Sequence, residues 1–293
     1  MPLQIKETKI TQPARTFKTD FGRFYSHPAS GVQDLNYEGP YKPNPSVTNV
    51  MKVLDEGFLP GLYAKKVAEY VVDNLDSVAY WQETFGRSVA IGNLKAVPDR
   101  PHPNAAIGDE VHEAIDCLLS GGVVFPQAFG TITAKRMFAS FKGFMELHQP
   151  KHVRSEATVW NYTHGYAGTT DLLWDIPELG GLGLVDMKTG VRIWGKTGMQ
   201  CAALAHGESL LAPDGAEGKM PEIKWQGILH VRPMSAKLYV LEHTDENFQA
   251  FLACLTLFNW QRLTRDTVIP TRPVLAYPPA NEPQEWDGVR RWG

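Results

Sequence analysis

The side chains best placed to do chemistry are Asp171, Asp186 and Lys188. They stand in the segments Gly168-Thr-Thr-Asp171 and Leu184-Val-Asp186-Met-Lys188-Thr189-Gly190. Asp186 and Lys188 are two residues apart on a predicted strand, so they leave the same face. Leu182, Leu184 and Val185 lead into them, which predicts an interior strand. A carboxylate and an ammonium at the end of such a strand need a reason to be there. Hairpin pairing with the preceding strand could bring Asp171 beside Asp186, and two carboxylates that close repel each other. A divalent cation relieves the repulsion, and hard oxygen ligands suit magnesium or manganese. A cation of this kind acidifies a coordinated water and polarises a phosphoryl oxygen. Lys188 would orient the attacking water or stabilise negative charge on the phosphate. The chemistry this set suits is phosphodiester hydrolysis.

The elements that must position these groups can be read along the chain. Residues 1–45 are rich in Pro, Gly and polar groups and are expected to form an irregular arm. Ser46 is a candidate cap for a helix to about residue 55, and helices are expected over 61–74, 75–90, 104–119 and 130–147. Pro98, Pro101 and Pro103 make the intervening segment a loop. Strands are expected over 155–160, 166–176 and 182–188, with Pro177 and Gly180-Gly181 at the turn between the last two. A helix over 198–211, strands over 225–231 and 237–242, and a helix over 245–263 follow. The order predicts an α/β fold with a mixed central sheet and helices on its faces. The units expected are the arm 1–45, a helical region 46–150, a core 151–263 and a tail 264–293.

Asp171, then Asp186-x-Lys188-Thr-Gly, then Gln200 in the next helix resemble the PD-(D/E)XK nuclease superfamily. The pattern is most similar to the RecB-type branch, which includes phage recombination exonucleases and mitochondrial genome-maintenance exonucleases. The resemblance spans roughly residues 45–260 and implies a restriction-endonuclease-like αβββαβ core. Gly108-Asp-Glu-Val-His112-Glu matches the branch's G-x-x-x-H helix pattern. The resemblance therefore implies metal ligation by His112, Asp171, Asp186 and the main-chain carbonyl of Met187. Gln200 matches a helix glutamine that holds DNA or the active-site lysine. Pro45-Ser46-Val47-Thr48 resembles the opening segment of the phage and mitochondrial members. Glu156 stands on the strand before Asp171, where relatives often carry an acid, and is expected to support the metal or its ligands. One departure is the tyrosine that the family often carries three or four residues after the glutamine; Ala203 and Leu204 stand there instead.

The net charge of -3 does not advertise a nucleic-acid binder by itself. Positive charge is nevertheless grouped near the catalytic strand, in Lys188, Arg192 and Lys196, and ahead of the first core strand, in Lys151, His152 and Arg154. Arg192 and Lys196 are expected to contact phosphates without reading sequence. Trp194 and Tyr166 are candidates to stack on unpaired bases. Some relatives hold an iron–sulfur cluster on four cysteines. The three here, Cys117, Cys201 and Cys254, are scattered, so no cluster is expected. No apolar run predicts a membrane span, and no secretory signal is read, which gives a cytoplasmic expectation. Two bland readings compete locally. His112 and Asp116 could simply pair on a helix surface. Gly190 to Thr197 also fits the letters of a nucleotide-binding P-loop, although Val191, Arg192, Ile193 and Trp194 are bulky for one.

The expectation is thus a magnesium- or manganese-dependent DNA exonuclease of phage recombination, replication or end processing. Its partners would be DNA with a free end or a single strand, and a recombination or replication protein. A structure-specific endonuclease and a cleavage-deficient DNA-binding module of the same fold are the alternatives.

Overall fold

The computed structural model describes residues 15–54, 59–98, 103–211 and 216–264. The N-terminal arm is more regular than its composition predicts. β1 (Arg15–Thr19) and β2 (Gly22–Ser26) form an antiparallel hairpin, and β2 also pairs with the short β3 (Asn44–Pro45). The turn between them needs Gly22 at φ +93, and the Phe21 N–H donates to Thr19 Oγ1. Phe17 and Phe24 then pack this hairpin onto the core.

The helical region follows. α1 (Val47–Val50) is capped by Ser46, whose hydroxyl accepts from the Asn49 N–H at 3.1 Å. α2 (Leu59–Asp73), α3 (Leu75–Phe85) and α4 (Arg87–Lys95) come next. Gly86, at φ +84, divides what the sequence predicts as one helix over 75–90. α5 (Pro103–Leu119) and α6 (Ile132–His148) complete the region. Of the predicted loop at 98–103, residues 99–102 lie outside the described residues, as do 55–58 and the predicted tail from 265 onward.

The core is a seven-stranded mixed sheet in the order β10-β9-β6-β5-β4-β7-β8. Its strands are β4 (Lys151–Asn161), β5 (Tyr166–Ile176), β6 (Gly181–Lys188), β7 (Ser209–Leu211), β8 (Glu217–Lys219), β9 (Trp225–Arg232) and β10 (Ser235–Val240). β6 pairs in parallel with β9, and the other neighbours are antiparallel. A parallel pair needs a crossover, and α7 (Lys196–Ala205) lies within it. The predicted helix over 198–211 is corrected here. It ends at Ala205, and Ser209–Leu211 pairs with β4, so Leu210 and Leu211 are buried as strand residues.

Helices cover both faces, so β5 and β6 are apolar on both sides. Leu173 and Leu184 point into one layer with α1, α7 and α8 (Thr244–Thr264). Leu172, Trp174, Val185 and Met187 point into the other, against α5 and α6. Trp174 is fully buried there and stacks on Phe144 at 5.9 Å between ring centroids. Such pairs contribute roughly 0.5–1.5 kcal/mol beyond area burial. Gly183 is obligatory in its register, since a Cβ there would come within 2.0 Å of the Trp225 ring. Among the described residues no helix is long and apolar enough to cross a membrane.

Candidate active site

The site forms where the sheet opens. The β5–β6 ladder runs from Ile176↔Gly181 to Leu172↔Val185 and stops one position short of Asp171 and Asp186. On the other side, Ser155↔Leu172 and Ala157↔Thr170 flank the level of Glu156 and Asp171, which are not themselves a ladder pair. Glu156 sits at φ +48, in the left-handed region. That conformation costs a non-glycine residue on the order of 1 kcal/mol or more, and it recurs at functional sites. The gap lets three side chains converge. Ligand-type atoms of His112, Glu156 and Asp171 all lie within 4.8 Å of one another. Among the described residues this is the one such group of three or more His, Cys, Asp or Glu. The sequence expectation had Asp186 beside His112 and Asp171 and gave Glu156 a supporting place. In the structure Glu156 completes the close group.

Asp186 is 1 % exposed, and its Oδ2 lies 2.6 Å from Lys188 Nζ. No other donor among the described residues reaches either carboxylate oxygen. Asp171 Oδ2 accepts from the Met187 N–H at 2.7 Å. Burial raises the Asp171 pKa, opposed by Lys188 and by that N–H. Burial and then the charge of Asp171 raise Asp186, opposed by Lys188. For Lys188, burial works downward, but Asp186 and Asp171 outweigh it and the ammonium is held more firmly. The pair of acids and the cation therefore form one coupled cluster.

His112 is held on α5 by a close helix–strand approach. A Cβ on Gly108 would stand 2.9 Å from Thr189 Oγ1, so the glycine lets α5 pack against the residue after Lys188. Burial, then Lys188, lower the His112 pKa, while Asp186, Asp109 and the Met187 backbone act the other way. The imidazole is thus neutral at pH 7. The Met187 main-chain oxygen acts on one side of the ring, and a neutral imidazole keeps a lone pair on one nitrogen for a cation. The alternative pairing of His112 with Asp116 is not made. Asp116 instead accepts from Ser155 Oγ at 2.5 Å.

A cavity of about 790 Å³ holds His112, Glu156, Asp171, Lys188 and Arg232 in its wall. A smaller one of about 200 Å³ is lined by Arg23, Thr48 and Gln200, and Glu156 and Asp171 line it as well. The two acids therefore border both. The arrangement can hold a hard divalent cation and present an ammonium to an anion beside it.

The chain matches no protein-family model, and no curated protein matches it.

The remaining predicted residues divide. Gln200 lines the smaller cavity. Arg192, Trp194 and Lys196 are exposed, on the loop after β6 and the start of α7, and Trp194 is 60 % exposed. They do not line the large cavity. Tyr166 is a correction. It is fully buried, its hydroxyl donates to the Ala203 carbonyl at 2.8 Å, and its ring meets Phe251 edge-on at 4.8 Å. An aromatic residue on a strand packed from both sides goes into the core and cannot stack on a base. Tyr166→Phe is expected to leave DNA affinity unchanged and to cost about 1 kcal/mol of stability for the lost hydrogen bond, read by urea melts and a binding titration.

The P-loop letters also fail in the backbone. No residue from 189 to 197 has positive φ, and the N–H groups of Thr197 and Gly198 are used by the carbonyls of Trp194 and Gly195. No anion nest of alternating hand is formed. Sequence reading missed Arg23, whose Nη2 donates to Thr48 Oγ1 at 3.0 Å, because it lies in a hairpin read as irregular. It also missed Arg232.

Proposed function

We propose that the protein is a magnesium- or manganese-dependent DNA exonuclease of the RecB-type PD-(D/E)XK kind, acting in phage recombination, replication or end processing. The observation that carries this reading is a buried Asp186 paired with a half-buried Lys188, beside a His112, Glu156 and Asp171 group whose ligand atoms lie within 4.8 Å. The donor set fits a hard cation: two carboxylates, a neutral imidazole and the Met187 carbonyl, with the Asp186 oxygens lacking any donor except Lys188 among the described residues. The succession α6, β4, β5, β6 and α7, with β9 following after the short β7 and β8, supports an αβββαβ core. When bound, the cation would supply Lewis-acid polarisation of the phosphate and a more acidic water.

The chain's own residues do the rest. Asp186 holds Lys188 in its charged form, and the ammonium offers donors to the water or to a non-bridging oxygen as negative charge grows. His112, Glu156 and Asp171 would hold the cation, together with the Met187 carbonyl, and Asp186 stands beside them. Gln200 holds the strand or the lysine from α7. Arg192 and Lys196 approach phosphates, and Trp194 offers a face to an unpaired base. The compartment proposed is the cytoplasm, with DNA and a recombination or replication protein as partners.

The test uses end-labelled linear DNA and closed circular DNA, each with magnesium, manganese or chelator. Degradation of the linear form alone, abolished by chelator, is the expected result. Absence of metal-dependent hydrolysis with either cation would sink the nuclease reading. Cleavage of the closed circle would replace the exonuclease with an endonuclease.

A further inference from the structure

The large cavity has five carboxylates in its wall and two side chains with a fixed positive charge, Lys188 and Arg232. Lys188 is committed to Asp186 at 2.6 Å. Arg232, the last residue of β9, is half-buried and makes a different kind of contact. Its Nη1 donates to the Thr189 carbonyl at 2.5 Å. Among the described residues no carboxylate lies within ion-pair distance of it, and no second hydrogen bond engages it. A guanidinium carries five N–H donors in a rigid planar fork. One is used, so four are left in a cavity whose own acids do not take them.

The position of this fork is also fixed. β9 pairs in parallel with β6, with His230 opposite Lys188. His230 Nε2 bonds the Gly190 carbonyl at 2.8 Å while Arg232 bonds that of Thr189. Two side chains of one strand thus hold the first two carbonyls after the catalytic lysine. The guanidinium is tethered to the residue that directly follows Lys188.

We infer that Arg232 binds a phosphate of the substrate strand beside the carboxylate cluster, its unused fork meeting two non-bridging oxygens while Nη1 stays on Thr189. The ligand class is the phosphodiester anion of a polynucleotide, and the contact is independent of base sequence. This rests on the nuclease reading and adds to it a substrate-binding residue from outside the D-x-K strand. In a cavity rich in acids, such a group supplies attraction that the overall charge does not.

The full-length protein, its Arg232→Gln and its Arg232→Lys variants are compared on end-labelled DNA over a series of salt concentrations. DNA binding in chelator is followed in parallel by anisotropy. Loss of a charged hydrogen-bonding pair to phosphate is expected to raise KM about tenfold or more in Arg232→Gln. It should also reduce the slope of log affinity against log salt by about one. Arg232→Lys keeps the charge, so its slope stays near wild type while KM rises several-fold for want of the fork. A purely structural clamp predicts a lower melting temperature and a lower kcat with the salt slope unchanged, and that pattern overturns the assignment. Should Arg232→Gln not fold, an unchanged KM in Arg232→Lys overturns it equally. Wild-type protein that cleaves DNA while Arg232→Gln matches its KM and slope removes Arg232 alone. Wild-type protein that neither binds nor cleaves DNA removes the nuclease reading and this contact together.

Discussion

Lys188→Ala is expected to lower metal-dependent DNA hydrolysis by about a thousandfold, in line with the loss of a preorganised donor at a developing charge. DNA affinity should change far less, because one exposed end of an ammonium is a small part of a phosphate-binding surface. The same substitution should also unsettle the fold when no divalent cation is present. Among the described residues Lys188 Nζ is the one partner of the Asp186 carboxylate, which is 1 % exposed, and the Asp171 carboxylate acts on the same group. Removing one member of a buried pair costs up to about 3–5 kcal/mol where the other stays charged; Asp186 can take up a proton instead, so the loss should be largest above neutral pH. Asp186→Asn placed on top of Lys188→Ala should return much of that stability and none of the activity. Urea melts in chelator and single-turnover cleavage with manganese measure the two effects. A Lys188→Ala protein with wild-type activity would remove the ammonium from the mechanism, and one with wild-type stability well above neutral pH would mean that Asp186 is better solvated than its burial indicates.

The second large effect is stabilisation by metal, and it should depend on pH. A ligand that binds only the folded state at about a hundred times its Kd stabilises by about 2.7 kcal/mol, which for a chain of this size is about 5–10 °C in Tm. The pH dependence follows from the two acids. Burial and mutual repulsion raise Asp171 and push Asp186 up to about 7. The folded protein without metal therefore holds protons that the unfolded chain has already released. Stability from this source is full below the ordinary carboxylate range and is lost as pH rises through the folded value. A cation takes the place of those protons, so the gain from manganese should be small at pH 5 and largest near pH 8. Glu156→Gln and Asp171→Asn should each shrink the gain, whereas Arg192→Gln should not. Melting curves of the wild type that coincide with and without manganese at pH 8 would exclude a cation at this centre.

Much of this centre is legible in the chain because β5 and β6 are buried on both faces. Leu182 to Met187 then reads as an apolar run broken by one acid, and Pro177 with Gly180-Gly181 marks the turn. β5 falls on its predicted bounds, and the hairpin arithmetic brings Asp171 to the level of Asp186. The misses have separate physical causes. The hairpin of Arg15–Ser26 alternates Phe17 with Lys18 across an Asp20-Phe21-Gly22 turn, but the surrounding prolines and polar residues set the reading of the whole arm. His206-Gly207 signals the end of α7, yet Leu210 and Leu211 continue an apolar spacing that β4 claims instead. Tyr166 looks available for stacking until α8 is laid over it. Glu156 depends on a backbone angle that composition does not encode, and Arg232 depends on a parallel pairing across more than one intervening element.

The left-handed backbone at Glu156 has an evolutionary corollary. Glycine would adopt that conformation with little strain but would remove the carboxylate. At this position the fold and the chemistry pull against each other. A sequence selected for robustness alone would drift toward glycine, and one selected for turnover must keep the acid and tolerate a weaker scaffold.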